Sequence, residues 1–243
     1  AILYRTNSQS RVFEEYLRSY NLPYRVYGGT SFYQRKEVKD LIAYLRLAVN
    51  TKDEEALRRS VNYPKRGVGK TTIDKISELA SQTNTTMWEN LTKVKVSSRA
   101  RNSINGFIAM VSIFQTKAQT LNAYEVATHI AKKSGLVDLL KADTTIEGMG
   151  RLENINALLD GINEFVEDDT VEEGAQTTSD KSLASYLQNI ALLTDADNEA
   201  TTTDYITLMS VHSAKGLEFP AVFVVGLEEK LFPSFMSMDT AEG

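Results

Sequence analysis

The sequence predicts one α/β sheet that is interrupted by a mostly helical insertion. Short apolar segments typical of strands occur only near the two ends of the chain, whereas the long middle repeats its apolar residues at helical spacing. The last strand-like segment, 221–225 (AVFVV), is a continuous apolar run that favours a parallel strand buried on both faces. The simplest architecture places the first strands of the sheet before the insertion and its last strands after it.

The residues before the insertion predict a strand, a helix and a second strand. Residues 1–5 (AILYR) are a short apolar run, and 6–8 (TNS) form a helix-start signal directly after it. The apolar residues of 12–17 recur at helical spacing, Asn-Leu-Pro at 21–23 ends that helix, and 24–27 (YRVY) has strand character. This order is typical of an α/β layer.

A pair of glycines, Gly28 and Gly29, marks the start of the insertion. The apolar spacing that follows predicts several amphipathic helices. The acidic, polar stretch 168–180 predicts a mobile loop. Strand character returns at 205–211 (YITLMSV). The amphipathic repeats cover residues 38–49, 57–61, 73–80, 104–114 and 152–166.

Composition excludes several kinds of site. Of the 243 residues, 42% are apolar, which is enough for one large core or two small ones. There is no cysteine, which excludes disulfides and thiolate metal sites, and the two histidines, His129 and His212, argue against a histidine-rich zinc site. No apolar run approaches the roughly 20 residues of a membrane span. No signal sequence opens the chain, so we expect a cytoplasmic protein without membrane contact.

Charge is distributed unevenly along the chain. The formal net charge is −5, but residues 1–141 carry 23 Lys and Arg against 12 Asp and Glu, whereas residues 142–204 carry 2 against 15. This asymmetry suggests a basic face that contacts phosphates and an acidic region kept away from them. The alternative is that the charges only solvate helices, and for the acidic stretch this alternative is favoured.

The segment 67–71 (GVGKT) ends like a phosphate-binding P-loop, but its context argues against nucleotide binding. The P-loop pattern requires a glycine where this chain has Pro64, and it requires a buried strand where 57–63 (LRRSVNY) favours a helix. A tight turn between two helices, with Val68 packed in the core, fits better. Glycine lets the backbone approach a ligand, and the second helix presents its N-terminal N–H groups, which suits a DNA phosphate.

Basic residues surround this turn, with no acidic residue among them between positions 58 and 73. Each contact of such a residue with phosphate would add to the salt dependence of DNA binding. The alternative is a plain connection between helices with solvated cations. The basic residues are Arg58, Arg59, Lys65, Arg66 and Lys70.

Lys39 and Arg46 lie seven positions apart, on one face of the helix predicted over 38–49 and away from its apolar stripe. From the residues alone a solvated helix face is the commoner explanation.

His212, Lys215 and Glu218 follow the strand predicted at 205–211. Ligands of α/β folds bind just past the carboxyl ends of sheet strands. A plain connecting loop, with His212 capping local backbone, is an equally good explanation of the spacing.

Four segments occur in a distinctive order and spacing: AILYRTNSQSRVFEEYL, YGGTSFYQRKEVKDLIAYLRL, NYPKRGVGKTTIDKI and TLMSVHSAKGLEFPAVFVVGLEEKLFPS. Together they resemble the second half of a UvrD/Rep/PcrA helicase of superfamily 1. The resemblance spans nearly the whole chain and is weakest over residues 80–200. Four long motifs in register are far more specific than any one of them.

The resemblance implies two domains. Residues 1–27 and 204–243 would form part of a RecA-like motor domain of the P-loop NTPase type, called 2A. Residues 28–203 would form the inserted helical domain, called 2B, with a helix–hairpin–helix-like Gly-Val-Gly turn. The fold class implied is therefore α/β plus all-α.

The resemblance also implies which residues touch DNA and nucleotide. Single-stranded DNA would be bound by Arg5, Asn7 and His212, and the nucleotide ribose by Glu218. Duplex DNA would be bound by Lys39, Arg46, Gly67, Val68, Gly69 and Thr72.

The parent protein implied is an ATP-dependent 3′→5′ DNA helicase of repair or replication, which binds ATP and Mg²⁺. Its partners would be DNA, the N-terminal motor domain that this chain lacks, and repair or replication proteins. The sequence has no Walker A loop, no Walker B segment and no final arginine motif, and phosphoryl transfer needs all three. We therefore expect no catalytic residue, metal or bound cofactor in this fragment, and no ATP hydrolysis by it. The alternative is a stand-alone DNA-binding or protein-interaction module without motor activity.

Overall fold

The chain forms two compact units. A computed structural model describes residues 1–168, 180–195, 204–228 and 232. Ala1–Arg35 and Ala191–Gly243 make up the first unit, called the sheet unit, and Lys36–Ile190 makes up the second, called the helical unit. The units divide the chain at Arg35 and Ile190, not at the domain limits expected from the sequence. The assignment of domains 2A and 2B stays a prediction.

Over its described residues, the sheet unit contains four parallel strands in the order β2-β3-β1-β4. At its centre Tyr4 of β1 aligns with Ser210 of β3. Strands from both ends of the chain thus share one sheet, and the predicted mixture of a parallel sheet with a helical insertion is confirmed. The strands are β1 Ile2–Tyr4, β2 Tyr24–Val26, β3 Ile206–Ser210 and β4 Phe223–Val224.

Strand β4 is exposed, against expectation. Phe223 exposes 65% of its surface and Val224 43%. The prediction that 221–225 is buried on both faces is therefore wrong for the residues that the structure describes. The physical reason is that, among the described strands, β4 lies at the edge of the sheet and pairs with β1 alone. A continuous apolar run favours burial but does not specify which neighbours provide it.

The buried face of helix α1, Ser10–Ser19, holds Leu17 but is otherwise polar. Val12 and Tyr16 are exposed, whereas Glu14 is fully buried. Both carboxylate oxygens of Glu14 accept the backbone N–H of Phe32 at 3.0 Å. This contact ties the segment after β2 to α1.

Charged and polar groups surround the Glu14 carboxylate. The Nη2 atoms of Arg18 and Arg35 lie 3.7 and 4.0 Å from it, and Ser10 Oγ donates a hydrogen bond at 2.7 Å. Burial raises the pKa of Glu14 from its ordinary value, whereas the hydrogen bonds from Ser10 and the Phe32 amide and the two guanidinium charges lower it. Because an unpaired buried charge is strongly destabilising, these groups depend on one another.

The helical unit is built from amphipathic helices, several of which have a first turn capped by a side chain. Its helices are α2 Lys36–Val49, α3 Glu54–Ser60, α4 Lys70–Thr83, α5 Met87–Asn90, α6 Ser98–Ala118, α7 Ala123–Lys133, α8 Leu136–Lys141, α9 Ile146–Glu167 and the first part of α10 Leu183–Asp195. A cap side chain accepts a first-turn amide at Asp53, Thr86, Ser97, Asn122 and Thr145.

Helix α2 lies at the centre of the core of the helical unit. Its residues Val38, Leu41 and Leu45 are fully buried, and the helix packs against α3, α6, α7 and α9. A polar contact crosses this core, where Asn154 of α9 donates to Glu37 Oε1 at 2.6 Å. Because α3 packs on this central helix, the turn that follows α3 starts from a fixed position.

Several predictions fall on residues that are only partly described. Most of the acidic stretch 168–180 lies outside the described residues, so the loop there stays a prediction. None of the described helices has both the length and the apolar character needed to cross a membrane. In the same part of the chain, no cluster of three or more His, Asp or Glu side chains is arranged to hold a metal ion.

Candidate nucleic-acid interface

Residues 61–69 form a tight turn between α3 and α4, which we call the hairpin. Gly67 has a φ of +86°, a left-handed conformation that a side chain would strain. Val68 is fully buried and holds the turn by apolar contact. Helix α3 occupies the place where a P-loop needs a strand, so the order of elements argues against the P-loop interpretation.

Asn62 orders the backbone of the hairpin. Its side-chain Oδ1 accepts the N–H groups of three successive residues, from Arg66 at 2.9 Å, Gly67 at 3.0 Å and Val68 at 3.1 Å. Short polar side chains of this kind commonly satisfy backbone groups of a nearby turn. The hairpin therefore has a defined shape without any ligand.

The next amides along the chain have no such acceptor. The N–H groups of Thr72 and Ile73 donate to Gly69 O at 2.9 and 3.1 Å and begin the hydrogen bonding of α4. Among the described residues, the N–H groups of Gly69, Lys70 and Thr71 donate no hydrogen bond. Unpaired amides at a helix N-terminus, together with the helix dipole, attract anions.

Part of the basic cluster around the hairpin is structural. The Arg66 guanidinium donates to the carbonyl oxygens of Ser60 at 3.0 Å and Ser134 at 2.6 Å. Arg59 Nε lies 2.7 Å from Asp40 Oδ1 in a partly buried ion pair. These two arginines hold protein groups together instead of facing solvent as free cations.

The remaining cations of the cluster are exposed. Arg58 Nη2 donates to Ser77 Oγ at 2.6 Å on the neighbouring helix. Lys65 and Lys70 are exposed and form no ion pair with any residue that the structure describes. The five cations expected at a phosphate site thus reduce to two fully available lysines.

Lys39 and Arg46 both lie on α2, but their surroundings differ. Arg46 is paired within the protein, with Nε 2.6 Å from Asp53 Oδ2 and Nη2 3.3 Å from Glu55 Oε2. Lys39 is half-buried and forms no ion pair with the residues described. Thr72 lies half-buried in the first turn of α4.

A second group of predicted residues meets at the carboxyl edge of the sheet. Tyr4 and Ser210 are aligned at the ends of the neighbouring strands β1 and β3. Arg5 and Asn7 follow β1, and His212 follows β3, so the sheet brings them to the same edge. All three are exposed at the edge where ligands of parallel sheets bind.

Hydrogen bonds hold the segment after β1 in one shape. Gln9 Oε1 accepts the N–H groups of Arg5 at 3.0 Å and Thr6 at 2.9 Å. Arg35 Nη1 donates to the carbonyl oxygen of Asn7 at 2.9 Å. The main chain is fixed by these contacts, and the side chains of Arg5 and Asn7 remain exposed.

The turn after β3 leads toward β4 and carries Glu218. His212, Lys215 and Glu218 are all exposed there. The turn after β2 approaches closely, because a Cβ on Gly28 would lie 2.9 Å from Ser213 Oγ. These residues belong to the sheet unit and the hairpin belongs to the helical unit, so each unit holds its own group of predicted residues.

The structural roles of four residues that shape these groups were not predicted from the sequence. Asn62 and Arg66 hold the hairpin, and Gln9 and Arg35 hold the segment after β1. Gln9 had a signal, since Thr6 followed three residues later by Gln9 is a capping-box pattern, and the Gln9 side chain does accept the Thr6 N–H at 2.9 Å. Arg66 and Arg35 act on backbone groups that are distant in sequence, whereas Asn62 acts on its own turn.

The family of this chain follows from comparison with known proteins. The model of the UvrD-like helicase C-terminal domain family matches residues 1–242. The chain belongs to this family, and the resemblance inferred from its four motifs is confirmed.

The similar curated proteins are bacterial helicases. The chain is 38% identical over 245 residues to the ATP-dependent DNA helicase PcrA of Staphylococcus aureus (strain Mu50 / ATCC 700699), covering 100% of this chain and 32% of the relative. It is 39% identical over 245 residues to the ATP-dependent DNA helicase PcrA of Staphylococcus epidermidis (strain ATCC 12228 / FDA PCI 1200), with the same coverage. The chain therefore spans 32% of the length of these relatives.

The structural role of Arg66 predicts that it and its neighbour Lys65 differ sharply in their effect on stability. Arg66→Ala is expected to lower the free energy of unfolding by about 2–3 kcal/mol, because hydrogen bonds from a charged donor to buried carbonyls such as that of Ser134 are lost. Lys65→Ala is expected to change it by less than about 0.5 kcal/mol. Urea unfolding followed by Trp88 fluorescence measures both free energies of unfolding. Trp88 is a suitable probe because its ring lies 6.3 Å from that of Phe107, over which Arg66 also packs. Equal effects of the two substitutions would contradict the assignment.

Proposed function

We propose that this chain is the C-terminal part of an ATP-dependent 3′→5′ DNA helicase that unwinds duplex DNA in repair or replication, in the cytoplasm. It would contribute contacts to single-stranded and duplex DNA and one side of the ATP cleft. The observation that carries the proposal is the row of unpaired amides at 69–71, beside the exposed Lys65 and Lys70. The names of the relatives, which are ATP-dependent DNA helicases, support it.

The hairpin would act as a helix–hairpin–helix element that binds the backbone of duplex DNA. Amide N–H groups and lysine ammonium groups recognise phosphate oxygens and carry no base information, so the contact positions DNA without reading its sequence. Gly69 would offer its amide directly. Gly67 and Val68 would contribute through the conformation and burial that fix the turn.

Lys39, Arg46 and Thr72 would extend this contact. Lys39 offers a charge without a protein partner among the described residues. Arg46 would have to share its guanidinium between a phosphate and the carboxylates of Asp53 and Glu55. We expect Arg46 to contribute less to affinity than an unpaired arginine would, because the existing ion pairs compete.

The carboxyl edge of the sheet would bind single-stranded DNA. Arg5 presents a guanidinium suited to phosphate, and Asn7 presents an amide that can donate or accept. His212 adds an imidazole from the neighbouring strand. Because the backbone of the Arg5–Asn7 segment is already held by Gln9 and Arg35, little ordering is needed on binding.

The sheet unit would be part of the RecA-like domain 2A, with Glu218 on its nucleotide side. An exposed carboxylate in a turn past a parallel strand fits as an acceptor for ribose hydroxyl groups. ATP and Mg²⁺ would bind in the parent protein, where an N-terminal motor domain supplies the phosphate-binding residues. Repair or replication proteins are further proposed partners.

Gly69→Asp is predicted to weaken duplex binding without loss of stability. The new carboxylate would stand at the N-terminus of α4 and repel phosphate, so we expect affinity to fall about tenfold to a hundredfold at low salt. The substitution is sterically open, since a Cβ at Gly69 would meet no atom within 4 Å. Aspartate is also a slightly better N-cap than glycine, by a few tenths of a kcal/mol. Fluorescence anisotropy with a labelled 3′-tailed duplex, alongside urea unfolding, measures both effects.

Gly150→Asp is the matched control for the added charge. A Cβ at Gly150, on α9, also meets no atom within 4 Å, and we expect its duplex affinity to stay near that of the wild type. If Gly69→Asp binds duplex as well as Gly150→Asp, the hairpin does not bind phosphate, and a protein-binding role for the helical unit is favoured.

Arg5→Ala and His212→Ala are each predicted to weaken binding of single-stranded DNA. Loss of the Arg5 charge should reduce the slope of log affinity against log salt by about 0.7, the value for one phosphate of a single strand. Arg25→Ala is the control, because Arg25 is exposed on β2 and packs over the Tyr205 ring. An oligo-dT titration at several salt concentrations gives the slopes. Equal slopes for the Arg5 and Arg25 variants would refute the assignment.

The chain by itself is predicted to hydrolyse no ATP, with or without DNA. Phosphoryl transfer requires a lysine, a metal and an arginine around the γ-phosphate, and the P-loop-like segment 64–71 follows a helix. Phosphate release by the purified 243-residue chain measures this. DNA-stimulated turnover that disappears in Lys70→Ala would overturn the prediction.

A further inference from the structure

We propose that Arg35 is a positioning residue for single-stranded DNA, and that it acts through the main chain of Asn7. The buried carboxylate of Glu14 holds the Arg35 guanidinium in the place from which it reaches Asn7. The proposal rests on the proposed contact of Asn7 with single-stranded DNA, and it names the groups that fix the position of that contact.

Arg35 joins three segments of the sheet unit through one guanidinium group. The residue is only 8% exposed. Its Nη1 donates to the carbonyl oxygen of Asn7 at 2.9 Å, and its Nη2 donates to Ser10 Oγ at 2.7 Å. Its Nε donates to the carbonyl oxygen of Thr30 at 3.4 Å. Because a guanidinium presents its donors in a fixed plane, these contacts fix Asn7 relative to α1 and to the segment after β2.

The contact between Arg35 and Asn7 differs in kind from the contacts that Gln9 makes in the same segment. Gln9 lies within four residues of Arg5 and Thr6, whose N–H groups it accepts. It therefore shapes the segment locally and moves with it. Arg35 is 28 residues away from Asn7 in the sequence. The long-range contact thus determines where the exposed side chain of Asn7 stands at the carboxyl edge of the sheet.

Glu14 gives the Arg35 guanidinium a buried countercharge. Glu14 Oε1 lies 4.0 Å from Arg35 Nη2. Ser10 Oγ links the two groups, because it accepts from Arg35 Nη2 and donates to Glu14 Oε1, both at 2.7 Å. A buried ion pair adds little stability over well-packed apolar residues, since desolvation offsets the attraction. The contacts that start at Glu14 end at the main chain of Asn7, so positioning Asn7 accounts for a carboxylate where an apolar residue would stabilise the fold equally well.

The test is a pair of double-mutant cycles in the full 243-residue chain, measured as affinity for oligo-dT. Arg35→Met and Arg18→Met each replace one of the two guanidinium groups beside Glu14 with an apolar side chain, and each is combined with Asn7→Ala. Arg18 is the matched control, because it is 9% exposed and its Nη2 lies 3.7 Å from Glu14 Oε2. Its guanidinium packs over the Tyr24 ring, and it lies in the last turn of α1, at the opposite end from Asn7.

Asn7→Ala and Arg35→Met are each expected to weaken oligo-dT binding about tenfold, the effect of losing roughly one hydrogen bond. The double variant is also expected to be about tenfold weaker, rather than about a hundredfold, because two residues that act through one contact are not additive. Arg18→Met is expected to leave oligo-dT affinity unchanged in both backgrounds. Urea unfolding of the single variants checks that the two arginine substitutions change stability to a similar extent.

The outcomes separate this proposal from the single-strand function on which it rests. If the effects of Arg35→Met and Asn7→Ala add, or if Arg18→Met weakens binding as much as Arg35→Met, the positioning role is overturned while single-strand binding stands. If Arg35→Met does not fold, the same cycle with Arg35→Lys decides. Wild-type affinity or additivity in that cycle overturns the proposal, because lysine cannot reproduce the planar fork of donors. If Asn7→Ala binds oligo-dT as the wild type does, the proposed contact of Asn7 fails, and the role of Arg35 fails with it.

Discussion

The hydrogen bonds between one asparagine side chain and three successive amides are the interaction on which the candidate duplex site depends. A turn as tight as this hairpin leaves several N–H groups without partners in regular structure, and buried or crowded amides need partners. Asn62 supplies them from inside the turn. The helix that follows therefore starts at a defined residue, and the amides of Gly69, Lys70 and Thr71 have no hydrogen-bond acceptor among the described residues.

The cations around the hairpin are of two kinds: some bind oxygen atoms of the protein itself, and others remain available to a ligand. Arg66 and Arg59 neutralise carbonyl and carboxylate oxygens of the protein itself, which leaves Lys65 and Lys70 as available charges. Binding to DNA would then rest on a few local groups. The formal net charge of −5 is compatible with this, because screening confines the effect of distant carboxylates. The sheet unit likewise fixes a backbone segment through an arginine. Arg35 donates to the carbonyl oxygen of Asn7, and the Asn7 side chain remains exposed.

Helices and strands were predictable where the local pattern and the tertiary environment agree. The apolar spacing of α2 indicated the face that is buried, and the strands at both ends of the chain occur where apolar runs predicted them. Helix α1 shows the opposite case, because its buried face holds Glu14 and its apolar Tyr16 faces solvent. The groups that stabilise this buried carboxylate include the guanidinium of Arg35 and the amide of Phe32, and neither is near it in sequence.

The sequence by itself determined the family, the mixed fold and the position of the glycine turn, since these depend on local conformational preferences and on motif order. Tertiary structure decided which cations near that turn remain available, which of its amides are unpaired, and that β4 lies at an exposed edge. The physical reason is that hydrogen-bond partners and burial depend on how the chain packs in three dimensions, which often brings together residues that are distant in sequence. The contact of Arg66 with Ser134 is an example that no local pattern contains.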